Sequence, residues 1–299
     1  MDLLIGTDDG LFAWSAGRAT RLRSGKVSQV SAAGSRVWII VDDRLAQLVG
    51  GAWQALPEPD RLKPRCMLPL ADGALVGTSE AQLFRVRGGT LEQVPGFANA
   101  AGRPEWHTPW GGPPDTRSLA HDAGGPIYAN VHVGGVLRSA DGADWRPTMD
   151  IAADVHQVSA HPTIAGCVLV ASAWGLGLSF DGGLNWQFTR QGLPRSYCRA
   201  VAASDETIFI SASDGPGGGR AAVYRRGLRD DAALERCSTG LPDWFEGNID
   251  SGCLVATRSQ VAFGTADGRL FVSDDAGETW SLGAEGLPAV RGLSLAQPT

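Results

Sequence analysis

The sequence predicts an all-β fold, a seven-bladed β-propeller built from four-stranded antiparallel blades. Three observations predict it. The 299 residues include 40 Gly and 17 Pro, with 43% hydrophobic and only 19% charged residues, a balance that favours many short strands joined by glycine-rich turns over helices or disorder. One short strand motif recurs seven times along the chain. The last apolar run has the pattern of a first strand with no unit after it, whereas the chain opens on the second strand of a unit.

The recurring strand is Ile5-Gly6-Thr7, Ile40-Val41-Asp42, Val76-Gly77-Thr78, Ala129-Asn130-Val131, Ala171-Ser172-Ala173, Ser211-Ala212-Ser213 and Phe263-Gly264-Thr265. Each is followed by a turn and another strand, such as Leu11–Trp14 or Arg269–Val272, and six follow an apolar strand of their own. The steps between equivalent residues are 35, 36, 53, 42, 40 and 52, with a mean of 43, the length of one four-stranded blade. Val290–Leu295 reads as an inner strand without a unit. Pairing it with the first unit closes the ring and removes the sheet edge that antiparallel repeats must hide. Residues 1–299 are thus expected to form one propeller domain with a long insertion at 98–116 on its top face.

Two units end on a further motif, Ser179-Phe-Asp181-Gly-Gly183-Leu-Asn185-Trp186 and Ser273-Asp-Asp275-Ala-Gly277-Glu-Thr279-Trp280, and Ser139-Ala-Asp141-Gly-Ala-Asp-Trp145 is a version one residue shorter. The aspartate suits a tight turn as acceptor of backbone N–H groups, the glycine supplies positive φ, and the tryptophan fills the gap to the blade. These segments resemble the Asp-box (BNR) repeat of sialidases, sortilin-like proteins and many uncharacterised bacterial propellers. The remaining units keep only degenerate forms such as Gly50-Gly51-Ala52-Trp53. The resemblance implies a box on the turn between third and fourth strands, away from the working face, with a structural role.

The same resemblance implies a top face formed by the loops leading into the inner strands and by the turns between second and third strands. Aligning the blades on the recurring strand gives one symmetric position at the start of each inner strand, occupied by Ser28, Arg65, Arg117, His156, Arg199, Gly252 and Arg291. Guanidiniums that converge in a narrow mouth repel one another unless carboxylates or an anion lie between them. A pocket for a carboxylate or phosphate is therefore expected, with Arg65, Arg117, Arg199, Arg291, His132 and His156 as its polar wall. The competing expectation is pairing with Asp42, Asp43, Asp115, Asp154, Asp214, Glu246 or Asp250. With 24 of the 26 basic residues arginine, chance stacking of Arg is also easy.

The insertion carries Trp106, His107 and Trp110 and reads as a packed lid. Trp174 and Trp244 are further aromatic candidates for ligand or partner contact. Asp214–Arg220 reads as a flexible turn, without the following helix that a phosphate-binding loop needs. All five histidines fall between 107 and 161. His107, His132 and His156 map to the top face, and His121 and His161 to the opposite end. The first three, with Tyr197, are the candidates for acid–base chemistry, and the three histidines could hold a divalent metal, although no metal or cofactor is required.

A net charge of −6 and a pI near 5.4 argue against nucleic acid as partner. No apolar run approaches the roughly 18–20 residues of a membrane span. The start of the chain lacks the basic-then-apolar pattern of a secretory signal. Five cysteines without metal-type spacing fit a reduced, cytoplasmic protein. The expected function is binding of a small anionic ligand at the top of the channel, with hydrolase or lyase chemistry open. A non-enzymatic protein-binding or assembly scaffold is the alternative, with Trp106, Trp110 and Trp244 as its anchors. The sialidase resemblance does not extend to chemistry: there is no Arg-Ile-Pro segment, and no glutamate can be assigned to Tyr197.

Overall fold

All seven recurring segments are second strands of four-stranded antiparallel sheets. They are seen in a computed structural model that describes residues 1–34 and 36–296. Blades 2 to 7 run over residues 27–55, 64–93, 116–147, 155–189, 197–236 and 254–284. Blade 1 takes its three outer strands from residues 3–23 and its inner strand from Val290–Leu295. In that closure Leu3 pairs with Leu295, Leu4 with Ser294 and Ile5 with Leu293. The expected seven-bladed, all-β ring is thus the observed fold.

Second strands such as Leu3–Thr7, Gly73–Thr78 and Val168–Ser172 are buried at every residue, because each lies between two sheets of the ring. Separate apolar clusters fill the spaces between blades. Blades 6, 7 and 1 share a cluster in which Phe263 stacks on Phe271 at 5.2 Å and meets Phe245 and Trp280 edge-on. The innermost strands are also stapled to one another through side chains. Gln29 Oε1 accepts from Met67 N (2.7 Å), Ser118 Oγ from Val158 N (2.9 Å) and Ser294 Oγ from Ala32 N (3.0 Å).

The three box motifs occupy the turns from third to fourth strand, and their hydrogen bonds explain their composition. In blade 5, Asp181 Oδ1 accepts from Asn185 N (2.9 Å) and Ser179 Oγ (2.8 Å), while Gly183 N donates to Ser179 Oγ (2.9 Å). Blade 7 repeats this with Asp275, Thr279, Ser273 and Gly277. Gly277 has φ +80°, and a Cβ there would lie 2.8 Å from the Phe209 ring of the preceding blade, so both conformation and space require glycine. Trp145 and Trp280 are buried and donate from Nε1 to the carbonyls of Gly142 (3.3 Å) and Gly277 (3.1 Å). Trp186 instead keeps a buried Nε1 without a partner.

The boxes also fasten blades to each other. Arg85 of blade 3 donates to Asp141 O (3.2 Å), and Arg225 of blade 6 donates to Ala276 O (3.0 Å) and pairs with Glu278 at 2.5 Å. Hydrogen bonds from Asn185 and Thr279 hold the Asp181 and Asp275 carboxyls down at about 2.

Two outcomes test this reading. Both carboxyls lie below the ordinary aspartate value near 3.9, so their contribution is full above about pH 4 and is lost as pH falls toward 2. Asp181→Asn with Asp275→Asn should lower the melting temperature at pH 7, and the gap to the parent should shrink as acid melts approach pH 2. Deleting residues 290–299 exposes the edge of Leu3–Thr7. Size-exclusion chromatography should show self-association and a broadened thermal transition, whereas a monomer of parental stability would contradict the role given to closure.

Candidate functional site

The symmetric position predicted at the start of each inner strand is a β-bulge in six of the seven blades. Val27 pairs with Val41 and Gln29 with Ile40, which leaves Ser28 as the extra residue. By the same shift Arg65, Arg117, His156 and Arg291 are the extra residues of blades 3, 4, 5 and 1. In blade 6 Arg199 and Ala200 together oppose Ser211. A bulge bends its strand and re-aims the unpaired side chain, here toward the channel mouth. Gly252, with φ +78°, precedes the inner strand of blade 7 and uses its N–H to cross the mouth to Gln157 Oε1 (2.9 Å).

Ser28, Arg65, Arg117, Gly252 and Arg291 line one cavity of about 140 Å3, completed by Gln157, Ser251 and neighbouring strand residues. Arg199 and His156 lie outside that lining. His156 is 1% exposed, its ring tilted against Tyr197 at 4.6 Å, with Nδ1 donating to Cys198 O at 2.5 Å.

Three of the four arginines are matched by carboxylates. Arg65 meets Asp115 at 3.0 Å. Arg199 donates twice to Asp250 Oδ1 (3.0 and 2.7 Å) and once to Tyr197 Oη (3.2 Å). Arg291 forms a two-pronged pair with Asp8, its Nε–Oδ1 arm 2.9 Å long, and Lys26 reaches the same carboxylate at 3.3 Å. These acids hold their arginines in place from exposures near one third, where an ion pair contributes only about 0–1 kcal/mol.

Arg117 is different. Among the described residues it has no ion-pair or hydrogen-bond partner, and its Nη1 is buried and unsatisfied. Burial, followed by the charge of Arg199, pulls its pKa below the usual arginine value. Nearby, Asp154 sits at φ +42°, an uncommon conformation for a non-glycine residue. Its Oδ1 is 3.7 Å from His132 Nε2 and also buried without a hydrogen bond, and its Oδ2 is 3.6 Å from His156 Nε2. These distances are too long for direct hydrogen bonds. Burial alone would raise the Asp154 carboxyl, but His156, His132 and Arg117 facing it hold it below its ordinary value. Burial and the charge of Arg117 push His132 down to about 4, so it is a neutral imidazole at pH 7.

Of the acids proposed as partners, Asp115 and Asp250 fill that role, Asp43 pairs with Lys63, and Asp42 accepts from Lys26 N. Asp214 pairs with Arg220 through two bonds of 2.9 Å, and Gly219 N donates to Glu246 O, so the segment read as flexible is a cross-linked turn. Asp8, the partner of Arg291, was not foreseen: the two lie 283 positions apart, and only ring closure brings them together. Gln157 and Ser251 were also missed. Gln157 follows the His156 bulge directly, and Ser251 Oγ donates to the carbonyls of Arg199 (2.8 Å) and His156 (3.1 Å).

The insertion is less a lid than a plug. It follows directly on a short helix Pro95–Ala98 and contains a 3-10 turn Arg103–Glu105, and Arg103 donates to the carbonyls of Ala81 (2.7 Å) and Glu80 (3.0 Å). Trp106, expected as an exposed contact residue, is 8% exposed and packed 5.7 Å from Phe97 under the Arg103 guanidinium. The apolar indole is worth more in the interblade core than on the surface. Trp110 is 77% exposed, edge-on to His132 at 5.1 Å. Trp174 rests against Phe188 (5.4 Å) and Trp244 carries Arg236 (4.6 Å). Trp244 borders a separate cleft with Phe245 and Arg269, apart from the channel mouth.

His132 and His156 converge on Asp154, but His107 directs Nδ1 to Glu105 O (2.9 Å) and does not join them. Among the described residues no three His, Cys, Asp or Glu side chains are arranged to hold a metal ion. His161 is fully buried and acts structurally: Nδ1 accepts from Ile164 N (3.1 Å) while Nε2 donates to Ser204 O (3.2 Å). Among the described residues no helix is long and apolar enough to cross a membrane.

No protein-family model matches the sequence, and no curated relative does. Solved structures share the fold. A glycoside hydrolase family 74 enzyme from Niastella koreensis is 14% identical, covers 93% of this chain and 46% of its own, and superposes with a TM-score of 0.61. The Neurospora crassa Pan2 WD40 domain is 9% identical over 92% of this chain and 80% of its own (TM-score 0.59). YCF48 bound to D1 peptide is 12% identical over 94% and 84% (TM-score 0.58). The chain is a seven-bladed propeller. An enzyme, a WD40 domain and a peptide complex share that architecture, so fold does not select among their functions.

For His132, the native state refuses a proton that the unfolded chain accepts below about pH 6.5. Stability therefore falls as pH drops from 6.5 toward 4. An NMR titration should find the His132 imidazole neutral at pH 5.5 with a midpoint near 4; a midpoint above 6 would remove the buried, Arg117-facing environment described here.

Proposed function

We propose that the top of the channel binds the carboxylate or phosphate group of a small ligand, with Arg117 as the receiving guanidinium and Arg65 and Arg291 beside it. The observation that carries this reading is the uncompensated state of Arg117. A half-buried guanidinium with an unsatisfied nitrogen costs on the order of 1–3 kcal/mol, while its three counterparts are each matched by an acid. An incoming anion supplies the missing partner through charge-assisted bonds. Gly252, Ser251 and Gln157 complete the wall with polar groups.

Catalysis, where it occurs, has one suitable proton acceptor in His132, neutral at pH 7 and 3.7 Å from Asp154. That arrangement fits lyase or hydrolase chemistry on the bound anion, with the Tyr197 hydroxyl close by, packed against His156 and accepting from Arg199. The box turns support placing the chain among Asp-box propellers, and one propeller domain over 1–299 remains our reading of the chain. Five free, buried cysteines support a reducing, cytoplasmic setting.

A second reading, a peptide- or protein-binding face, is favoured by the exposed Trp110 and Trp174 and by the peptide bound to YCF48.

Arg117→Met discriminates. Removing an unpaired charge should leave the melting temperature within about 3 °C of the parent, while stabilisation by acetate, citrate or phosphate disappears. Arg199→Ala should instead keep the anion effect, because its guanidinium lies outside the cavity lining and is already matched by Asp250. If none of these anions raises the melting temperature of the parent protein, the anion site is wrong. Peptide binding that survives Arg117→Met but is lost in Trp110→Ala would favour the second reading.

A further inference from the structure

The mouth is too small for a whole ligand. Its cavity of about 140 Å3 falls below the roughly 300–1,000 Å3 of ordinary ligand pockets. It does not end there. Val30, Leu119, Gln157, Gly252 and Leu293 line both this cavity and a second one of about 450 Å3 that continues down the channel. The two differ in charge: the mouth carries three arginines, whereas among the described residues no Asp, Glu, Lys, Arg or His lines the lower cavity. Its side chains are small and uncharged, Ala32, Val201 and Leu295 among them, with Ser31, Ser159 and Ser294 as the hydroxyls, and polar atoms still make up more than half of the exposed lining.

The charge count at the mouth also restricts the head group. Arg65, Arg117, Arg199, Arg291 and Lys26 stand against the carboxylates of Asp8, Asp115, Asp154 and Asp250, which leaves one positive charge for the ligand, and Arg117 is the guanidinium without a hydrogen-bond partner among the described residues. We propose that the ligand is an amphipathic monoanion, a monocarboxylate whose head lies against Arg117 and whose uncharged, largely apolar tail descends into the channel. This rests on the anion-binding reading above and adds the chemistry of the tail. A dianion would leave one charge unmatched, and a charged tail would lose its hydration in the lower cavity without gaining a partner.

The test is a chain-length series titrated calorimetrically into the intact protein: acetate, butyrate, hexanoate and octanoate, with succinate as the charged-tail control. Each methylene buried in the channel should tighten binding about two- to fourfold, and succinate should bind no better than acetate. Ser159→Leu and Ser31→Leu each fill the lower cavity from a different blade, and each should cut the octanoate-to-acetate affinity ratio severalfold. The parent series decides the matter even if one variant fails to fold. Acetate and octanoate binding equally would overturn the tail assignment and leave the anion site standing. A length dependence untouched by both folded variants would place the tail elsewhere and overturn it too. No binding of any carboxylate would remove both the tail and the site beneath it.

Discussion

An antiparallel sheet with an unpaired edge recruits other strands, and this ring removes its largest edge by pairing the two ends of the chain. Leu3 to Thr7 pairs with Val290 to Leu295, and the seven inner strands then surround one channel. The position of every mouth residue depends on that closure. Arg291 enters the mouth only because the last strand lies inside blade 1, and its partner Asp8 comes from the turn after the first strand of the chain. Staples between inner strands, such as Gln29 to Met67 and Ser118 to Val158, hold the channel wall in register.

Within that frame the bulges decide what the mouth contains. One extra residue at the start of an inner strand cannot join the ladder, so its side chain turns away from the sheet. Repetition of the bulge around the ring delivers Ser28, Arg65, Arg117 and Arg291 to one cavity. Like charges brought together in this way need counter-charges, and Asp8, Asp115 and Asp250 supply all but one. The remaining guanidinium, with Asp154 and the neutral His132 behind it, is where the hydrogen bonding is left unfinished. Structural arginines elsewhere, such as Arg85 and Arg225, are spent on carbonyls of the next blade's box turn. Composition alone could not separate the two uses.

Blade count, strand order, box turns and the ring position were all legible in the sequence, for one reason. Each is a local pattern repeated at a period near 43 residues, so one blade's geometry predicts the next. Gly277 and Asp275, for example, need only their own turn and the adjacent blade to explain them. For Trp106 the sequence left ligand contact and packing of its own loop both open, because the pattern contains nothing that distinguishes an indole buried between blades from one exposed on a loop. Trp110, four residues on, went the other way.

By itself, then, the sequence determined the number of sheets, the manner of closure and which residues stand at the start of each inner strand, since those follow from hydrogen-bonding period and turn chemistry. Only the tertiary structure decided which acid meets which arginine, that His107 stands apart from His132 and His156, and that Arg117 is left without a partner. Those outcomes depend on distances between residues from different blades, up to 283 positions apart, and no local pattern encodes them.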